Sequence, residues 1–587
     1  MITPMKKYTF LILASRYEAF LGQLRNAGVV HVTLKAEGLA DNPALQESLN
    51  EADSLRKLIA QGAPDQLLQE KATVQGRIDA TRKEVARMEP WGEFDSSRIT
   101  QLREAGYDIR FFTCSKKQYT GQGIVVNEIG DTVYGVVIGG EPLDETLNEV
   151  TLNEHSVNEL QVDLEALNGL LVAADARIEA WQKAHLEETK RQLAETERRI
   201  DWQRVELSGD TAAEGALRLL EGFCPEDKTE SLNQMLSTAD VYYEAEEPVE
   251  GDKTPVKLHN NGFAKLFEPL TGMYGWPNYK EFDPTPILAP FYLLFFALCI
   301  GDAAYGVLIA LVGYLIYKNK LKIAMFEGLG PIIMTLGVGC IVVGYLMGTC
   351  FGINLYTASW FPEGAKTVMF NHWIGDGSGK IMGYDVMMVF AIAVGVFHIC
   401  LAMTVKAISY TKRYGFAKMT STWGWLLLIV GTLIAAILWG TSVMSQDTFK
   451  VVFICIAAVS ALGILLFNTP GRNPLINIGS GLWDTYQMAT GVLGDVLSYI
   501  RLYALGLAGG MLGAAFNDLG SMVLGDTPGV VTVIGFVLIV TVGHILNLLM
   551  ACLGAFVHPL RLTFVEYFKN SGYEGSGNLY HPFKTNN

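Results

Sequence analysis

The sequence predicts a multi-domain chain: N-terminal α+β globular units on a long antiparallel coiled-coil arm, followed by an all-α polytopic membrane domain of eight helices, the last two long and tilted. Three observations predict it. Charge divides the 587 residues at Thr285, with 30 Lys and Arg against 48 Asp and Glu up to that point (net −18) and 15 against 12 in the remaining 302 (net +3). Long apolar segments occur only from Pro286 onward. Before it, two stretches repeat apolar residues at intervals of four and three, the signature of packed helices. The overall charge of −15 therefore belongs to one half of the chain. A purely soluble enzyme, a secreted disulfide scaffold and a disordered chain are excluded. So is a nucleic-acid partner, because no basic stripe occurs in the soluble half.

The first domain is expected over 1–285. Lys6-Lys7 precede the apolar run Tyr8 to Ala14, but seven residues followed by Arg16 and Glu18 read as a buried strand rather than a signal peptide. A helix from Glu18 to Ala27 and a strand over Val29 to Val32 complete an α/β unit within 1–40. A second unit, 97–150, combines a helix (Ile99 to Ala105) with strands at Ile109 to Thr113, Gly123 to Val126 and Val133 to Val137. The arm is drawn from 42–90 and 157–207. Its seams run from Leu67 through Lys71, Val74, Ile78, Thr81 and Val85 to Met88, and from Leu160 through Leu164, Leu167, Leu171, Ala174, Ile178 and Trp181 to His185. The unit at 97–150 separates these seams in sequence, so the two helices can run antiparallel and carry it at the arm's end. Residues 208–285 form the linker to the membrane. No Walker loop, GxSxG, HExxH or EF-hand loop is present, and no cofactor or metal is expected. Six of the eight cysteines lie in apolar segments and none forms a CxxC pair, as expected of small buried hydrophobes in a reducing compartment.

The membrane domain is expected over 286–587. Apolar segments near 287–317, 329–352, 384–409, 421–443, 449–467, 482–518 and 529–568 suggest seven crossings of ~20 residues each. Starting from a cytoplasmic N-domain, seven would put Lys318, Lys320, Lys322, Lys406, Lys412, Arg413 and Lys418 outside, against the rule that basic loops stay inside. The first segment carries Gly301-Asp302 at its middle, and an Asp against lipid there costs at least ~2.5 kcal/mol. A turn at that point makes a hairpin of two short legs and inverts every later loop. The Lys318 to Lys322 and Lys406 to Lys418 groups, Arg472 and Lys569 then become cytoplasmic, giving eight spans with both termini inside. At 1.5 Å per residue the last two segments would reach ~55–60 Å against a hydrocarbon core of about 30 Å, so they tilt or extend beyond it.

Chemistry concentrates in those two segments. Arg501 stands mid-span with no Asp or Glu at i±3 or i±4, a fixed positive charge in low dielectric that calls for a carboxylate on another span or another chain. Small residues at Ala504, Gly506, Ala508, Gly509, Gly510 and Gly513 leave a smooth face beside it, fit for close packing and for sliding. His558 and Arg561 share a face at i, i+3, with Glu566 one turn or more beyond; His544 and Asn547 make a polar stripe further out. Asp495 and Tyr499 are candidates to line a water path, extended by Gln487, Asp484 and Tyr486. His398, alone in its span, reads as a helix-to-helix hydrogen bonder.

These motifs carry a resemblance. Asp283-Pro284-Thr285-Pro286 leading to Pro290-Phe291 and Gly301-Asp302-Ala303-Ala304-Tyr305-Gly306, then Ser498-Tyr499-Ile500-Arg501-Leu502, then His558-Pro559-Leu560-Arg561, resemble in order the signatures of the membrane stator subunit of rotary V/A-type ATPases, called subunit I in bacteria and subunit a in eukaryotes. Pro90-Trp91-Gly92 and Glu221-Gly222-Phe223-Cys224-Pro225 resemble weaker landmarks of its N-domain. The resemblance implies a stator in the inner or plasma membrane that couples proton or sodium translocation to ATP synthesis or hydrolysis without being an enzyme on its own. Arg501, Arg561 and His558 would serve translocation, with Asp495, Tyr499, Gln487, His544, Asn547 and Glu566 as candidate half-channel lining. The implied partners are a proteolipid c/K ring, E/G-type peripheral stalks held by the arm, a d/C-type central-stalk subunit and, indirectly, the soluble ATPase head. Gly509 and Ala551 stand where eukaryotic members carry further His and Glu groups. A secondary transporter with a cytoplasmic regulatory coiled-coil domain is the rival reading; it would show an internal repeat and broken helices in both halves. A channel gated by its coiled coil would need rings of charge from several copies.

Overall fold

The computed structural model describes residues 2–34, 42–93, 96–119, 121–139, 143–144, 146–152, 155–239, 241–249, 251–318, 320, 328–356, 358–369, 380–381, 383–416, 419–466, 474–525 and 529–584. Lys322, Lys418 and Arg472, three of the charges used to assign the loops, lie outside them. In chain order the N-terminal half runs β1 (Met5–Leu13), α1 (Tyr17–Ala27), β2 (His31–Val32), α2 (Pro43–Gln61), α3 (Asp65–Met88), α4 (Ser96–Glu104), β3 (Ile109–Ser115), β4 (Ile124–Ile129), β5 (Thr132–Ile138), β6 (Asn148–Val150), α5 (Val157–Leu207), β7 (Asp210–Ala212), β8 (Leu217–Pro225), α6 (Thr229–Thr238), β9 (Tyr242–Glu246) and α7 (Gly262–Tyr274). The chain divides into two units: one of 12–26, 33–220 and 584–587, and one of 1–11, 27–32 and 221–583.

In the first of these units, α5 runs for 51 residues, opened by a reciprocal capping box between Ser156 and Glu159. Arg177 pairs with Glu70 at 2.6 Å, Asp175 with Lys71 at 2.7 Å and Glu197 with Arg56 at 2.8 Å. Numbers rise on one side as they fall on the other, so α5 lies antiparallel to α2 and α3. Exposed pairs of this kind contribute little each; burial of Ile78, Met88, Leu160, Leu167 and Ala174 does more. The sequence reading treated 42–90 as one partner, whereas the chain breaks at Gly62, which takes φ 71 ahead of Pro64. Beyond that break Leu45 and Ala52 of α2 bury with Ile200, and His185 is left exposed while Thr189 is buried. The antiparallel sheet β4-β5-β3-β6 closes over Phe112, Cys114, Val133, Val137 and Leu147. Phe112 lies so close over Gly135 that a Cβ there would overlap its ring.

In the other unit, four strands take the order β2-β8-β1-β9. Tyr8, Phe10 and Phe223 are buried, and the Tyr8 hydroxyl donates to Asn233 Oδ1 of α6 at 3.0 Å. Burial pushes the Cys224 thiol up to about 12 and makes it inert. The C-terminal tail returns to these strands: Phe583 N–H donates to Val30 O at 2.8 Å and the Tyr580 hydroxyl to Val29 O at 2.6 Å.

The rest of this unit is helical. Among the described residues, six helices are long and apolar enough to cross a membrane: α10 (Gly330–Met347), α11 (Val386–Tyr414), α12 (Thr420–Gly440), α13 (Gln446–Ala461, continued to Leu465), α14 (Pro474–Leu524) and α15 (Val530–Arg561, continued to Ser571). Two shorter apolar helices precede them, α8 (Thr285–Ile300) and α9 (Ala303–Tyr317). Gly301 ends α8 at φ 59, and Asp302, 2% exposed, opens α9. Its Oδ1 accepts the Ala304 and Tyr305 N–H groups at 2.9 and 3.2 Å; its Oδ2 accepts Gly352 N–H at 2.8 Å, from the loop after α10. The residue that is costly in lipid thus serves as a cap. Asp302→Ala strands two buried N–H groups and a part-buried one and is expected to destabilise the hairpin by about 2–4 kcal/mol, read as a lower unfolding midpoint with Asp302→Asn between it and the parent.

Glycines bring α9 and α10 together. Gly306 and Gly313 on α9, and Gly330, Gly337 and Gly344 on α10, recur every seven residues and meet the opposite backbone. A Cβ on Gly306 would lie 2.6 Å from Ile341 N, and one on Gly330 2.7 Å from Tyr317 N. Near the C-terminus, α14 begins eight residues before the apolar segment expected at 482–518, because Pro474–Gly481 are helical without being strongly apolar. The helix expected over 529–568 is broken by a π-turn over Leu562–Tyr567.

Candidate functional site

The helices α14 and α15 lie side by side, and each leaves one stripe uncovered. On α14 the stripe runs Leu493, Leu497, Ala504, Ala508 and Met511, with half-buried Arg501 on its edge. On α15 it runs Met550, Leu553, Val557 and Arg561, whose side chain is 52% exposed. His558 lies within electrostatic reach of both Arg501 and Arg561, so the three residues that the sequence assigned to translocation come together. Among the described residues Arg501 makes no ion pair. Of the small residues after it, Ala504 and Ala508 face outward, whereas Gly506 would place a Cβ 2.6 Å from Leu298 O of α8 and Gly513 packs on Gly352. The smooth face is thus narrower than the sequence suggested: Gly506 and Gly513 serve the inner contact, while Gly509 and Gly510 border open space.

Below Arg501 a carboxylate cluster spans both helices. Asp495 Oδ2 accepts from Asn570 Nδ2 at 2.7 Å, and Lys569 Nζ stands 3.9 Å from Asp495 Oδ1. Glu566, 2% exposed, has Oε1 3.9 Å from Arg561 Nε, lies within hydrogen-bonding reach of Ser498, and keeps Oε2 buried without a partner among the described residues. The π-turn brings Glu566 back to Arg561, five residues earlier. Gln487, with Asp484 and Tyr486, is exposed on α14.

Tyr499, expected along a water path, is fully buried instead. Its hydroxyl lies 2.8 Å from His398 Nδ1, and its ring fills the hollow left by Gly395, where a Cβ would lie 2.7 Å from Tyr499 Cβ. The His398 ring stacks on Tyr567 with centroids 4.6 Å apart. His398 therefore joins α11, α14 and the π-turn, as the sequence reading of a helix-to-helix hydrogen bonder expects.

Above Arg501 lies a second hydrogen-bonded network. Asn547 Nδ2 donates to Gly509 O at 2.8 Å and to the Tyr305 hydroxyl at 2.9 Å. That hydroxyl then donates to His544 Nδ1 at 2.7 Å, leaving Nε2–H to donate to Asn517 Oδ1 at 3.0 Å, and Asn517 Nδ2 donates to Phe351 O at 2.7 Å. A cavity of about 380 Å³ opens beside His544, Asn517, Phe351 and Leu308. Sequence reasoning missed Tyr305, Asn517 and Asn570, which lie far from His544 or Asp495 in sequence and carry no charge. Polar residues at the same depth of different apolar segments were the only available signal.

The chain matches the V-type ATPase 116kDa subunit family over residues 143–368 and 486–585; the second segment contains Arg501, His558 and Arg561. It is 25% identical over 627 residues to V-type ATP synthase subunit I of Borreliella burgdorferi, covering 100% of this chain and 99% of that protein. It is 32% identical over 381 residues to A-type ATP synthase subunit I of Methanocaldococcus jannaschii, covering 61% of this chain and 53% of that one. To V-type ATP synthase subunit I of Chlamydia pneumoniae it is 26% identical over 570 residues, covering 86% and 83%.

Proposed function

Because the chain belongs to the V-type ATPase 116kDa subunit family, we propose that within a rotary ATPase it is the membrane stator against which a ring of carboxylate-bearing proteolipids turns. One observation carries the reading: Arg501 is a permanent cation at the edge of an uncovered apolar stripe, without an ion pair among the described residues. A guanidinium there favours the charged form of a carboxylate brought beside it, so a passing ring carboxylate gives up its proton or sodium ion. The same charge blocks direct passage of a cation between the two sides. Arg561 adds positive potential beside His558, and Glu566 keeps Arg561 oriented.

Two half-channels fit around this barrier. The cavity beside His544 and Asn517 with Asn547 serves the outer one; Asp495 and Glu566 serve the inner one, where a buried carboxylate oxygen without a donor suits a group that accepts a proton. The short legs α8 and α9 count as the first two of eight spans, and the basic ends at Lys318 and Lys412-Arg413 support a reading with both termini in the cytoplasm. The arm of α2, α3 and α5 holds E/G-type peripheral stalks against torque; a d/C-type central stalk and the ATPase head complete the complex. Isolation from membranes tests this assignment: a proteolipid ring and a nucleotide-hydrolysing head are expected to co-purify, and a stable homo-oligomer without them contradicts it.

The hollow at Gly395 makes a graded prediction. Tyr499→Phe keeps the ring in place and is expected to lower coupled transport only about twofold, whereas Gly395→Val pushes α14 away from α11 and is expected to lower it at least about tenfold. ATP-driven ion uptake per assembled complex measures both.

A further inference from the structure

Away from Arg501, a cavity of about 470 Å³ is lined, among the described residues, by Lys253, Lys280 and Arg413 and by one carboxylate, Asp252. Asp252 is already engaged: Oδ1 accepts from Lys7 Nζ at 3.0 Å and Oδ2 from Val249 N–H at 2.9 Å. Burial alone would raise its pKa, and these partners hold it below the ordinary range, so its charge is spent on Lys7 rather than on the cavity. Two more carboxylates lie nearby, Glu281 and Glu574; that of Glu281 accepts the N–H groups of Asn278 and Glu574 at 2.9 and 3.2 Å. Among the described lining residues, three cations therefore stand beside one carboxylate that is already engaged.

Arg413 is the telling residue. It sits in the last turn of α11, with its guanidinium 5.3 Å over the Tyr414 ring, and its Nε is buried without an acceptor among the described residues. A guanidinium N–H taken out of water without an acceptor is unfavourable, so the site lacks an oxygen. The position tells what kind. α11 is apolar enough to cross a membrane, and beside Arg413 the side chains of Tyr414 and Phe416 are 43% and 62% exposed, as aromatic residues at a bilayer boundary are. We infer that this cavity binds a phosphate-bearing anion through Arg413 and Lys253, and that its place at the membrane boundary makes the headgroup of an acidic phospholipid the source. The inference does not depend on the role of Arg501.

The test uses the assembled complex in nanodiscs containing phosphatidylglycerol and phosphatidylcholine, with retained lipid read by native mass spectrometry. The parent is expected to retain phosphatidylglycerol selectively, and the Arg413→Gln/Lys253→Gln variant to retain at least about fivefold less, while Lys450→Gln, at a distant exposed cation, retains the parental amount. Equal retention of the two lipids by the parent, or undiminished retention in the double variant, overturns the proposal. Displacement by inorganic phosphate supports the anion site and moves its source to the free ion; failure of phosphate to displace supports the headgroup. If the double variant does not assemble, Lys253→Gln alone, at an exposed loop position, gives the same comparison with a smaller loss, and no loss there overturns the proposal.

Discussion

Arg501→Ala is expected to leave the complex assembled and to abolish ATP-coupled ion transport. Assembly survives because the guanidinium is half-buried and makes no ion pair among the described residues, while α14 is held by Tyr499 in the Gly395 hollow, by Gly506 against Leu298 and by Gly513 against Gly352. Transport fails because Arg501 is the only permanent cation on α14, and Arg561, on α15, is engaged by Glu566 at 3.9 Å. Without Arg501 a ring carboxylate has nothing to hold it ionised, and a rise of one pKa unit already costs about 1.4 kcal/mol at each step. Arg501→Lys is expected to retain less than about a tenth of the transport, since a compact ammonium on a shorter stem does not reproduce the planar fork. Full pumping by Arg501→Ala would remove the residue from the mechanism.

Gly337→Leu carries the largest expected effect on folding. The Gly337 position meets the backbone of Ala310, so a Cβ alone would overlap it, and a leucine must drive α9 and α10 apart along a seam repeated at Gly306, Gly313, Gly330 and Gly344. Overpacking of this kind costs about 3 kcal/mol or more. Because the seam positions Asp302 and Tyr305, the loss should reach the network at His544 and Asn547. The expected result is a sharp fall in assembled complex and in its unfolding midpoint, with Gly337→Ala intermediate. A parental yield from the leucine variant would show that the two helices separate freely.

The hairpin was legible because a single misplaced charge marked it. Asp302 in an apolar segment had to turn the chain or cap a helix, and Gly301 before it allowed the left-handed turn; both follow from residue type alone. The cations were legible for the same reason, since a permanent charge in a hydrophobic run has few structural explanations. Tyr499 was misread: a hydroxyl near Arg501 suggested water, but only the distant Gly395 and His398 reveal a socket, and sequence spacing holds nothing of contacts made across a hundred residues. The π-turn was invisible because Leu562–Tyr567 keep a helical pattern while one extra residue per turn redirects Glu566. In the soluble half, the seam from Leu67 to Met88 was read from apolar period, whereas the break at Gly62 changes which helix faces α5, a change that period alone does not record.

The central claim, that the uncovered stripe around Arg501 is the surface on which a proteolipid ring slides, is tested most directly by a photo-crosslinker placed at Ala504 of the assembled complex. The ring proteolipid is expected as the captured product, whereas the same probe at Ile437, an exposed position of α12, is expected to capture lipid only. Capture of the proteolipid at Ile437 and not at Ala504 would contradict it.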